Sequence, residues 1–296
     1  MQIADIRMRR DPSRGADFLR RRAAEDLVER LEAIMRRFPC AVDLGSRDAA
    51  FERALQQSPA REKVGDLVAM TPIFRPASPM QVVGDEEALP FAPESFDLAT
   101  SVLALHLTND LVGALVQARR ILKPDGLFLG AVFTGATLTE LRQSLLEAEA
   151  EVTGAAAPRV APFADGPDLA ALAQRAGFAL PVVDIDRMCV RYRHPLDLIA
   201  DLRAMAETNP LLGQGNRRLT RRVMARALSI YQERFSDADG RVRATFEIST
   251  LTGWAPHPDQ QQPLKPGQGR VRLADALGVT EHKLSAQRDA PPALLG

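Results

Sequence analysis

Between residues 38 and 152 short apolar runs alternate with segments of helical spacing, and no other feature constrains the fold as tightly. CAVDLG (40–45), VGDLVA (64–69), MQVVGD (80–85), FDLATSVLAL (96–105) and LFLGAVF (127–133) read as five strands. Between them lie SRDAAFERALQQS, with Ser46 as its expected N-cap, the helical stretch 109–122 and the helix 137–152. Strands that alternate with helices predict an α/β fold, a mostly parallel sheet covered on both faces. Ligands of such sheets lie at the carboxyl ends of the strands.

Upstream, Leu27, Val28, Leu31, Ile34, Met35 and Phe38 recur at helical steps, and Pro39 is expected to end that helix. Downstream, 168–176 reads as a helix stopped by Gly177, 181–192 as a strand, 195–207 and 217–235 as helices, and 244–254 as a strand. The chain is therefore divided into an N-terminal helical segment (1–39), a core (40–193), a helical insertion (194–235), a last core strand (236–255) and a Pro/Gln/Gly-rich tail (256–296) expected to be mobile. One helical turn is expected at 273–277.

The 38 basic and 38 acidic residues cancel, which argues against nucleic acid as a whole-chain partner. Two cysteines, Cys40 and Cys189, rule out a disulfide scaffold and are expected to be buried. No apolar run reaches the ~18 residues of a membrane span. The expectation is a soluble, cytoplasmic protein. No His, Cys or carboxylate has metal-ligand spacing with His106, so no metal site is expected.

Acidic residues recur where strands are expected to end: Asp43 with Gly45, then Asp66, then Asp85 and Glu86. A nucleoside cofactor suits that order. A carboxylate after the second strand accepts from the ribose hydroxyls, and one after the third accepts from the adenine amino group. Glycine in the first turn lets backbone approach the ligand. Taken singly, each acid reads more readily as a turn former or helix cap; their ordered recurrence is what points to a nucleoside. His106 and Asp110 follow the fourth strand, where a proton acceptor or a partner for a cationic substrate would stand. Their structural alternatives are a loop-shaping hydrogen bond and an N-cap. Ser101 flanks the same loop.

The stretches Val83–Asp97 and Leu122–Leu129 resemble class I S-adenosylmethionine-dependent methyltransferases. SVLALHLTND (101–110), PRVAPF (158–163), DLRAMAETN (201–209), YQERFSDADGRVRAT (231–245) and TGWAP (252–256) are similar, more narrowly, to the complex I assembly factor 5 group. The resemblance implies a Rossmann-like methyltransferase sheet with a helical insertion before the last strand. It implies S-adenosylmethionine at Asp43, Gly45, Asp66, Asp85, Glu86 and Ser101, with His106 and Asp110 as catalytic candidates. It also implies a protein partner such as a complex I subunit, and, from the mitochondrial members, protein-arginine hydroxylation as an alternative activity. The first turn departs from the pattern. It reads Gly45-Ser46-Arg47-Asp48-Ala49, placing side chains where backbone should meet the ligand. The first reading is an S-adenosylmethionine-dependent methyltransferase of unknown substrate; the altered turn makes a methyltransferase-fold binding module with weakened or lost cofactor binding the alternative. The arginine rows at 217, 218, 221, 222 and 226 read as a solvated helix face or a clamp for an acidic partner, and Arg20-Arg21-Arg22 as surface charge.

Overall fold

The computed structural model describes residues 16–74, 80–209, 219–257 and 259. The chain divides into two units, Met1–Pro258 and Asp259–Gly296. Every element named below lies in the first. Most of the expected tail, its helical turn at 273–277, Arg217 and Arg218 fall outside the described residues.

Seven strands form one sheet: β1 Phe38–Leu44, β2 Val64–Thr71, β3 Gln81–Val83, β4 Phe96–Val102, β5 Leu122–Phe133, β6 Ala179–Tyr192 and β7 Val242–Trp254. Their spatial order is β3-β2-β1-β4-β5-β7-β6. The first five are parallel, and β7 runs antiparallel between β5 and β6. The helices are α1 Phe18–Ala33, α2 Ala50–Gln56, α3 Leu111–Ile121, α4 Thr139–Thr153, α5 Gly166–Arg175, α6 Pro195–Ala204 and α7 Arg221–Phe235. The last two are inserted between β6 and β7.

β5 shows why the central strands read as unbroken apolar runs. Its side chains alternate by the two-residue period of a strand. Leu127, Leu129, Ala131 and Phe133 join a core under α1, α4 and α7. Phe128 and Val132 join a second core under α3 and α5. From Leu127 on both faces are covered, so no position there is left for a polar residue. Phe128 is fully buried with its ring centroid 5.4 Å from that of Phe178. Its burial alone contributes ~1.5–3 kcal/mol.

Several local expectations are corrected. α1 ends at Ala33, and Pro39 lies inside β1. α2 begins only at Ala50, with Ala49 before it at φ +56°, so Ser46 does not cap it. The Ser46 N–H instead donates to the Met70 carbonyl at 2.8 Å. The Lys123–Gly126 turn is absorbed into the start of β5 as a register shift against β4. Cys189 is exposed and Cys40 half-buried, because β6 is a sheet edge and Cys40 sits near the beginning of β1. Arg20 is buried rather than superficial. Arg226 pairs with Glu151 across the α4–α7 contact.

Candidate functional site

The chain leaves β1 toward β2 on one side and returns through β4 on the other. The crevice outside the carboxyl ends of β1 and β4 is therefore the ligand position that this topology creates. Gly45 opens the turn after β1 at φ +69°, a conformation that favours glycine. A Cβ there would stand 2.6 Å from Glu86 Oε1 and 2.5 Å from the Ala104 Cβ. The segments following β3 and β4 thus close directly onto this turn.

Arg47, two residues on, is buried. Its Nη1 donates to Glu207 Oε1 at 3.2 Å. Glu207 Oε2 lies 3.0 Å from His106 Nε2. Glu207 sits on the strap that follows α6, so the helical insertion is pinned to both the first turn and the loop after β4. Arg20 of α1 extends the cluster: its Nη2 donates to the Met205 carbonyl at 3.0 Å, and its Nε lies 3.8 Å from Asp48 Oδ2. Rings flank it, with Phe133 and Phe163 centroids 4.9 and 6.0 Å from that of His106. Burial by itself raises the Glu207 carboxyl, but the charge and hydrogen bond of His106, then Arg47 and Arg20, hold it down at about 2. Glu207 is therefore a carboxylate across the physiological range, and its charge offsets those around it.

Asp43 is also buried and close by, but it faces inward. Its Oδ1 accepts from Thr100 Oγ1 at 3.0 Å. Burial pushes this carboxyl up to about 7, against the lowering bonds from Ser46 and Thr100, with Asp48 and Glu52 adding repulsion. Ser101 Oγ donates to the Leu44 carbonyl at 3.1 Å and ties β4 to β1. Asp85 is exposed, its Oδ1 accepting from the Glu87 N–H at 2.9 Å. Asp110 caps α3, its Oδ1 accepting from the Gly113 N–H at 2.9 Å. On β7, Glu247 Oε1 accepts from Thr134 Oγ1 at 2.8 Å beside the loop after β5.

Asp66 is the clear correction. It lies near the start of β2, opposite Cys40, and is exposed. β2 runs on to Thr71, two residues past its expected end, so the strand-end position belongs to a threonine. The Ile73 N–H donates to the Thr71 Oγ1 at 3.2 Å. Among the described residues, no three His, Cys, Asp or Glu side chains gather as a metal site, and no helix is long and apolar enough to cross a membrane.

The fit to an adenosyl cofactor follows from these placements. Glu86 and Gly45 stand together where such a cradle should be, and Asp43 backs them. The two groups that would meet the ligand most directly do not fit. The first turn presents a buried, paired guanidinium instead of bare backbone, and β2 ends without a carboxylate for the ribose. Glu207 and Arg20 had no local sequence signal, since the groups they hydrogen-bond lie 101 to 185 residues away.

The family description of a methyltransferase domain matches residues 42–130. The arginine-hydroxylase NDUFAF5 of Danio rerio mitochondria is 40% identical over 265 residues, covering 88% of this chain and 82% of its own. The malonyl-[acyl-carrier protein] O-methyltransferase of Halorhodospira halophila is 33% identical, covering 90% of each chain. The crystal structure of YcgJ from Bacillus subtilis superposes with a TM-score of 0.50 at 16% identity, covering 78% of this chain and 98% of that one, a likeness of fold. Sequence identity across nearly the whole chain places it with these proteins. The chain belongs to the family of the NDUFAF5 arginine-hydroxylases, the complex I assembly factor 5 group of methyltransferase-fold proteins.

Proposed function

We infer that this chain is a methyltransferase-fold binding module that holds a protein partner during respiratory complex I assembly, with S-adenosylmethionine binding weakened or lost. The observation that carries this reading is the pairing of buried Arg47 with Glu207 in the turn after β1. A ligand entering there would have to displace a guanidinium from its carboxylate and leave both charges buried. Thr71 at the end of β2 adds to it by removing the ribose acceptor. Membership of the assembly-factor group supports such a partner, and the helical insertion bearing Glu207 is the surface on which it would rest. Of the catalytic candidates, His106 is engaged with Glu207 and Asp110 with its own helix. Neither is assigned a step.

Calorimetric titration with S-adenosylmethionine and S-adenosylhomocysteine tests the reading. No saturable heat is expected for either. Micromolar binding of either would overturn it and restore a methyltransferase. Affinity capture from the native cell is expected to retain a complex I subunit.

A further inference from the structure

Beyond the crevice lies a cavity of about 280 Å³ that none of the site residues predicted from sequence line. It sits just under the ~300 Å³ at which small-molecule sites begin. Leu141 and Leu145 of α4, Ile199 and Leu202 of α6, and Phe133 and Phe163 are among the apolar side chains that line it. The polar groups at its edge are mostly spoken for. Arg159 Nε donates to Glu149 Oε2 at 3.0 Å, Asn209 Nδ2 to the Pro158 carbonyl at 3.0 Å, and Glu207 is held by Arg47 and His106. A ligand rich in polar atoms would lose its water here without finding partners, which costs several kcal/mol in an apolar site. Arg203 differs. It is exposed on α6, lines the cavity, and among the described residues takes part in no side-chain hydrogen bond or ion pair.

An apolar chamber with one available guanidinium at its edge, among the described residues, specifies an apolar body with a single anionic end. We propose that this cavity binds a medium-chain carboxylate, its alkyl chain between α4 and α6 and its carboxylate on Arg203. Guanidinium suits that head group because its fork of N–H donors matches a carboxylate. Such binding is independent of whether the crevice accepts a nucleoside, so the two readings fail separately.

The test is calorimetric titration of the full chain with decanoate, with decan-1-ol and decyltrimethylammonium as head-group comparators. Decanoate is expected to bind one to one, more tightly than the alcohol, and the cation not at all. Arg203→Glu is expected to weaken decanoate by about fivefold or more, at least the size of a partly exposed ion pair, and to leave the alcohol unchanged. Leu145→Trp fills the chamber and is expected to abolish binding of both. A tryptophan there can also unfold the chain, so Arg203→Glu, at an exposed position, decides independently. The proposal is overturned by an absence of saturable decanoate binding, by equal affinity for the three head groups, or by an unchanged decanoate affinity in Arg203→Glu.

Discussion

Replacing Glu207 by glutamine removes one negative charge from a buried cluster while keeping its shape. The carboxyl stands at about 2 in the folded chain against an ordinary value of 4.5. At 1.36 kcal/mol per pH unit, that difference corresponds to ~3 kcal/mol of stability at neutral pH. The cost of removing one partner from a buried pair, ~3–5 kcal/mol, agrees with it. For a domain of this size the loss lowers the melting temperature by roughly 6–12 °C. The pH dependence has a definite sign. A depressed carboxyl contributes in full above its unfolded value and loses the contribution as pH falls toward its folded one. The gap between parent and Glu207→Gln is therefore constant above pH ~5 and closes between about 4.5 and 2. Urea unfolding of both proteins at pH 7, 5, 4 and 3 measures it. Glu147→Gln, which removes the partner of Arg234 at the surface, serves as the comparison and is expected to shift stability by less than ~1 kcal/mol. Equal stability of parent and Glu207→Gln at pH 7, or a gap that widens on acidification, would refute the assignment of Glu207 as the carboxylate that neutralises the crevice.

Arg47→Met together with Glu207→Met is expected to cost less than the sum of the two changes, since the pair is removed together while His106 loses its carboxylate in both backgrounds; a double-mutant cycle by thermal melting reads the coupling. Asp43 carries the opposite pH signature. Its raised carboxyl favours folding fully below about 3.8, and that contribution is lost as pH rises through about 7, so Asp43→Asn is expected to flatten the fall in stability across that window. Gly45→Ala places a Cβ against Glu86 and Ala104 in a left-handed turn and is expected to destabilise by ~2–4 kcal/mol in denaturant unfolding. If turn and strand end together block the nucleoside, Arg47→Gly with Thr71→Asp is expected to gain S-adenosylhomocysteine binding that the parent lacks. Continued absence of heat in that pair would locate the obstruction elsewhere.

The resemblance carried by 83–97 and 122–129 survives in the structure as the parallel half of the sheet, because those residues make mostly short-range decisions: strand, turn, helix cap. Asp110 illustrates it, capping α3 as local chemistry dictates. Asp66 shows the limit. Its apparent place near a strand end depended on guessing where β2 stops, and that end is set by hydrogen bonding to β1 and β3, not by the strand's own composition. Cys189 was misjudged for a related reason: an apolar-looking strand is exposed when topology leaves it at the edge.

The order of apolar runs, fixed by the amino-acid sequence alone, determined that this chain folds as a mostly parallel α/β sheet with helices on both faces, since side-chain periodicity is a property of neighbours along the backbone. The sequence also exposed the altered turn at Arg47. Tertiary structure alone decided what that arginine does. Its carboxylate partner arrives from 160 residues away on the strap after α6. A buried charge is stable only beside an opposite one, and no pattern local to either residue records where in space its partner will stand.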